Sequence, residues 1–353
     1  STCCDDGSSC TARADDERAP GGFLRQPLRA TPAAAAMNRL PELVAGEAWP
    51  LLAGILLVLT VASLVGTTLR VLVARRRPHP AIDNLNSRIR SWWIIAGVFG
   101  LASLAGRTGL TLLFALASLV ALGEFLGTAK PEGVPRELVV ACFTCVLPLQ
   151  YLLVWRGDAI GFCALIPCLA LVVLPLLLRS PQTTTRPSLR TLQWGLLICV
   201  FSVSFVPALL TLPIVGQEHR LAYLPVFLLL VVQFSDVLQY LWGKLAGRHA
   251  IAPRISPAKT VEGTVGGILS ATALGAALAS WTPFRPDQAA LVSLLLTSLG
   301  FVGGLCLSAI KRERGIKDWG ESIPGHGGML DRLDSLCLAA PAFYVLLHVG
   351  WTT

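Results

Sequence analysis

Near the C-terminus, the aspartates Asp318, Asp331 and Asp334 are interleaved with bases that include Lys311, Arg312, Lys317 and Arg332, between two apolar stretches. A second polar group precedes them: Asp236, Tyr240, Lys244, Ser256, Lys259, Thr260 and Glu262. Carboxylates beside bases suit phosphate chemistry, because Mg²⁺ takes one or two protein carboxylates together with substrate oxygens. Hydroxyl and ammonium groups such as those of Ser256, Thr260 and Lys259 hold phosphate oxygens. Phosphoryl or nucleotidyl transfer is the chemistry such a set supports. The run Pro324-Gly325-His326-Gly327-Gly328 adds glycines that let backbone N–H groups come close to a phosphate. No Gly-x-x-x-x-Gly-Lys-Ser/Thr motif is present, which argues against a P-loop nucleotidase.

The elements that position these residues are apolar. Of the 353 residues, 54% are hydrophobic and 14% charged, against about 25% charged in a soluble domain. The class expected is an all-α, polytopic transmembrane helical bundle. Runs of span length fall near 49–73, 92–106, 109–127, 138–154, 158–178, 191–214, 221–243, 263–281, 287–310 and 336–352. Two of these are short, so the expectation is about ten spans within a range of nine to eleven. A charge at bilayer depth costs roughly 2.5 to 3.5 kcal/mol, so the polar groups must lie at an interface or line a wet cavity.

Three regions follow from this pattern: a polar tail over 1–45, N-terminal transmembrane helices over 46–220, and a C-terminal catalytic region over 221–353. With ten spans, one set of loops carries 19 Lys and Arg, while the opposite short loops carry 4, Arg107, Arg156, Arg220 and Arg285; the N-terminal tail, with five more arginines on that side, is the exception. The positive-inside rule makes the richer set cytoplasmic. Bases dispersed in short loops explain the net charge of +8 without nucleic acid as a partner. The tail has no apolar h-region, so it is not a secretory signal, and Met37 reads as a natural start preceded by an extension. Asn84 to Trp93 mixes bases with two tryptophans, as an interfacial helix would, although a plain polar linker reads equally well. Cys142 and Cys145 have redox or zinc spacing, but they sit in an apolar run without a second ligand pair and are read as small hydrophobes.

At these residues the chain resembles the integral-membrane phosphatidate cytidylyltransferases, also called CDP-diacylglycerol synthases. The segment Ser308 to Asp334 carries every fixed position of their signature: Ser-x-apolar-Lys-Arg, Lys-Asp after four residues, then Pro-x-His-Gly-Gly-apolar-x-Asp-Arg-apolar-Asp. The stretch from Asp236 to Gly267 is similar too, and the resemblance covers about 234–341. Departures are Val237-Leu238-Gln239 between Asp236 and Tyr240, Val261 in place of a tryptophan, and Gly304 where the family commonly has aspartate.

The resemblance implies CTP and phosphatidic acid as substrates, with CDP-diacylglycerol and pyrophosphate as products. It implies Mg²⁺, with room for a second cation, held first by Asp236 and Asp331 and also by Asp318 and Asp334. Lys259, Lys311, Arg312 and Lys317 would hold phosphates, aided by Tyr240, Lys244, Ser256, Thr260, Glu262, Gly327 and Gly328. His326 would contact phosphate or brace the glycine loop, and Arg332 would bind phosphate or pair with Asp331 or Asp334. The expected setting is a bacterial inner membrane with the catalytic loops cytoplasmic; a homodimer is left open. Two rivals stand beside this reading. A catalytically altered or silent homologue that binds anionic lipid is motivated by Gly304, and an anion transporter by the intramembrane charges.

Overall fold

In hydrocarbon every backbone amide must find its partner within the chain, which favours helices wherever the apolar runs cross lipid. The computed structural model describes residues 49–72, 80–129, 136–179, 185–214, 220–323 and 327–352. The N-terminal tail and His326 lie outside the described residues. The first helices are α1 (Trp49–Leu72), α2 (Pro80–Leu104), α3 (Gly106–Ala129), α4 (Arg136–Arg156) and α5 (Ala159–Arg179). A sixth, α6, runs from Thr185–Gly195 through a π turn at Leu196–Ser202 into Val203–Ala208. Then come α7 (Tyr223–Ala246), a hairpin of β1 (Ala250–Ala252) and β2 (Ser256–Thr260), α8 (Val261–Ala277) and α9 (Pro286–Glu313). A short α10 (Leu330–Leu333) precedes α11 (Leu336–Trp351).

Each expected apolar stretch falls on one of these helices, and 6 of them are long and apolar enough to cross a membrane. Together they form an integral-membrane helical bundle. Asn84 to Trp93 is not a separate interfacial helix. It is the leading part of α2, docked on α1 through Asn86 Nδ2 to the Gly66 carbonyl (3.1 Å) and Trp93 Nε1 to Ser63 Oγ (3.0 Å). Cys142 and Cys145 fall in a π turn within α4, with the first buried and the second exposed, and both are free thiols.

The hairpin modifies the all-α expectation. Its cause is local: Pro253 and Pro257 exclude helix and push the residues before them, Ala252 and Ser256, into extended conformation, and these two pair across the hairpin. Thr260 then turns the chain into α8, accepting from the Gly263 N–H (3.1 Å) as its N-cap. Glycine lets α7 and α8 touch backbone to backbone: a Cβ at Gly267 would come within 2.5 Å of the Gln239 nitrogen, and one at Gly263 within 2.7 Å of the Gln239 carbonyl oxygen. Elsewhere the core is close-packed, with Phe162, Phe205 and Tyr344 meeting edge to face at centroid distances of 5.3 and 5.4 Å.

Candidate active site

The polar residues gather where α7, β2, the end of α9 and α10 converge. Lys311, in the last turn of α9, is buried, and its ammonium lies 2.7 Å from Asp331 Oδ1. The other Asp331 oxygen accepts the Trp319 N–H (2.8 Å) and the Gly328 N–H (3.0 Å). Asp331 therefore closes the segment after α9 back onto that helix. Gly327 turns at φ 80°, and a Cβ there would stand 3.1 Å from Asp331 Oδ2 and 3.5 Å from the Asp318 Cβ. Asp318 thus stands at the rim of this pair, exposed, as is Lys317.

A second cluster forms around Asp334, one helical turn after Asp331. Asp236 of α7 and Asp334, immediately after α10, repel each other, and Lys259 of β2 attracts both. The Lys259 ammonium stands over the Phe301 ring at 4.9 Å, and a Cβ on Gly304 would lie 3.4 Å from it and 3.9 Å from Asp334 Oδ2. Gly304 is therefore beside this cluster. Lys311 also attracts Asp334, linking the two groups, while Gln233 Nε2 donates to the Arg332 carbonyl (2.9 Å) and ties α10 to α7.

Several expected binding residues are instead spent on the fold. Glu262 receives the Arg248 and His249 N–H groups (3.0 and 3.2 Å) and pairs with His249 Nδ1 (2.5 Å), closing the turn after α7. Thr260 is the α8 cap. Arg312 donates to the carbonyls of Ile255 (3.1 Å) and Ile316 (3.2 Å), fastening the hairpin to α9. Tyr240 is 59% exposed and stacks with the exposed Lys244, whose ammonium is 5.8 Å from its ring, because Gln239 and Gly243 are the residues of α7 turned onto α8. Ser256 is half-buried at the start of β2. Gly328 gives its N–H to Asp331, so that group is committed within the protein.

One residue was not anticipated. Glu124, in α3, reaches into the segment between Gly320 and Leu330, where it accepts from Ser322 Oγ and from the Met329 and Leu330 N–H groups (2.8 and 2.9 Å). The signal was present as a carboxylate inside an apolar run, which is expensive in a membrane and rarely without purpose. Arg314 docks beside it, stacking on Phe125 and Trp319 at 4.1 and 5.1 Å and donating to the Phe125 carbonyl (3.0 Å).

For a divalent ion, the available donors are carboxylates. Among the described residues no group of three or more His, Cys, Asp or Glu side chains is gathered at metal-ligand spacing. Asp236 with Asp334 supplies the one or two carboxylates that Mg²⁺ takes beside substrate oxygens, so the pair fits such an ion. Asp331 has both oxygens occupied by protein donors.

Breaking a buried ion pair on one side leaves an uncompensated charge, at a cost of about 3 to 5 kcal/mol. Lys311→Met should therefore lower the unfolding midpoint of the purified protein in detergent and abolish activity. Lys311→Met combined with Asp331→Leu should recover part of the midpoint but none of the activity; recovery of both would make the pair purely structural.

The cytidylyltransferase family model matches residues 86–350. The protein YnbB of Escherichia coli, named as uncharacterized, is 36% identical over 281 residues, 77% of this chain and 90% of its own length. A phosphatidate cytidylyltransferase of Staphylococcus haemolyticus is 30% identical over 69% of this chain and 92% of its own length. Its counterpart in Staphylococcus aureus is 36% identical over 42% of this chain, and the match spans 58% of that protein. With the signature charges gathered at one site and a family match across most of the chain, the protein belongs to the cytidylyltransferase family.

Proposed function

We propose that the chain transfers a cytidylyl group from CTP to the phosphate of phosphatidic acid, giving CDP-diacylglycerol and pyrophosphate. The observation that carries this reading is the half-buried group Asp236, Asp334 and Lys259 beside the buried Lys311–Asp331 pair, at the end of apolar helices in a cytidylyltransferase chain. The named activity of the staphylococcal relatives supports it. In the reaction an oxygen of the lipid phosphate attacks the α-phosphorus of CTP, and the bond to the β-phosphate oxygen breaks as pyrophosphate leaves. No covalent enzyme intermediate is needed. The work of the protein is to align two anions and neutralise their repulsion.

Lys259 would meet phosphate from inside the site, and Lys317 from its exposed rim. Asp318, beside Gly327, would orient groups at the same rim. Mg²⁺ held by Asp236 and Asp334 would draw charge from the triphosphate. In this assignment Asp331 acts by holding Lys311 and the Gly328 segment, and Asp334 takes the ligand role.

The catalytic face is assigned to the cytoplasm, where CTP is found. Support comes from the 19 to 4 imbalance of loop bases, and the bacterial relatives support an inner-membrane setting. Arg254 and Glu313 are exposed and outside the charge clusters. In a cysteine-depleted protein, Arg254→Cys and Glu313→Cys should resist an impermeant thiol reagent in intact cells and react after lysis. Labelling of both in intact cells would invert the orientation and separate the site from its nucleotide.

Purified protein should release pyrophosphate from CTP only when phosphatidic acid and Mg²⁺ are present. Asp236→Asn and Asp334→Asn each keep side-chain shape and remove the charge, and each should lower turnover at least about 100-fold, or about 2.7 kcal/mol of barrier. A wild type inert with several lipid phosphates at every Mg²⁺ concentration would favour a silent, lipid-binding homologue.

Position 304 offers a graded test of the ion. Gly304→Asp places a third carboxylate next to Lys259 and Asp334, and the charge of the ligand set governs how firmly a hard cation is held. The half-maximal Mg²⁺ concentration should fall several-fold. An unchanged titration in a folded variant would mean that the new carboxylate pairs with Lys259 and that the ion lies elsewhere.

A further inference from the structure

We infer that Glu124, on a helix of the N-terminal half, is the positioning residue that sets the active-site segment in place. The inference rests on the cytidylyltransferase reading for its consequence and on geometry for its substance. The short helix α10 is the leading turn of a helical run that continues through Asp334 and Ser335, both right-handed helical, into α11. Its opening amides, those of Met329 and Leu330, have no carbonyl within the helix to receive them. Glu124 receives both, so a carboxylate from α3 performs the capping that a short helix needs and its own sequence does not provide.

Two glycines record the same fit. A Cβ at Gly320 would stand 2.9 Å from Glu124 Oε1, and one at Gly328 would stand 2.5 Å from Oε2. A glutamate side chain is ordinarily free to swing aside. This one is pinned by Ser322, Met329 and Leu330, so displacing it breaks those bonds. The glycine at 328 thus makes room for the protein's own carboxylate.

What Glu124 fixes matters for chemistry because α10 and the residue after it supply a carboxylate to each charge cluster. Asp331 in this helix holds Lys311, and Asp334 just after it faces Asp236 and Lys259. A shift of α10 moves both carboxylates together. Misplacing reacting groups by about 1 Å can cost on the order of 100-fold in rate. The Glu124 oxygens are engaged by Ser322, Met329 and Leu330, so a role in positioning α10 should appear in turnover more than in nucleotide binding.

The test uses the full chain in lipid nanodiscs, with kcat and KM for CTP measured beside amide hydrogen exchange. Glu124→Ala should lower kcat about 30-fold or more, change the KM for CTP by less than about 3-fold, and raise exchange over residues 327–334 while the rest of α3 and α9 stays protected. Glu124→Gln keeps an acceptor for Ser322 and Met329 and should retain about a third of wild-type kcat or more. Turnover in Glu124→Ala within about 3-fold of wild type, or exchange over 327–334 that does not change, would overturn the inference. A loss in Glu124→Gln equal to that in Glu124→Ala would also overturn it. Should Glu124→Ala fail to fold, Gly320→Ala reads the same contact from the loop side. It should reproduce the fall in kcat and the local rise in exchange, and wild-type behaviour there would refute the role. A wild type without cytidylyl transfer would end the functional reading alone, because exchange over 327–334 in the variants still decides whether Glu124 holds α10.

Discussion

Charge buried among apolar helices has to be matched within the protein, and this requirement organises the C-terminal half. Lys311 and Asp331 answer it directly, at 2.7 Å and nearly out of contact with solvent. A pair so buried is weak evidence for stability, since each member loses its hydration on entering the bundle. Its value is positional. Asp331 spends its second oxygen on two backbone amides, so one carboxylate fixes the end of α9, Trp319 and Gly328 relative to one another. Asp236 and Asp334 repel each other and are drawn by Lys259 and Arg332, with Lys311 acting on Asp334 as well. In the proposed function, a divalent ion at these two carboxylates would connect the packing of the helices to the reaction.

The apolar half is more than a carrier for this site. Small residues bring α7 and α8 into backbone contact, which places Asp236 and β2 side by side. Arg314 lies on the Phe125 and Trp319 rings and caps the carbonyl end of α3, so the same helix that contributes Glu124 also receives the segment's cation. Glu124, of the N-terminal helices, and Arg314, of the C-terminal region, each reach across the sequence division expected near residue 220.

Much of this was legible beforehand, for physical reasons. Helices followed from run length, because lipid leaves apolar backbone few alternatives. Asp236, Lys259, Lys311, Asp331 and Asp334 were singled out because charges between spans are costly, and they do converge. Residue type alone could not tell which polar groups face a ligand and which serve the fold. Glu262 and Thr260 look like binding groups in sequence but satisfy the amides of a turn and a helix start. Tyr240 shares a nominal stripe with Asp236, yet α7 turns its close-packing face to α8 and leaves the phenol outside. Glu124 escaped notice because its run was read for length, and nothing local joins it to a segment almost two hundred residues away.

The backbone amides complete the argument about how anions are met here. A glycine-rich loop invites the idea that its N–H groups cradle phosphate, and that idea can be checked by asking where those groups go. The amides of Trp319 and Gly328 go to Asp331, those of Met329 and Leu330 go to Glu124, and that of Ile323 goes to the Gly327 carbonyl. Five donors of the segment are thus consumed in building it. Under the proposed function, the cations Lys259, half-buried, and Lys317, exposed, would share in recognising phosphate. Ammonium groups act as hydrated point charges without the directional fork of a guanidinium. Under the proposed function, a site using them would accommodate a triphosphate before reaction and pyrophosphate after it without rebuilding its walls, provided α10 holds the carboxylates still.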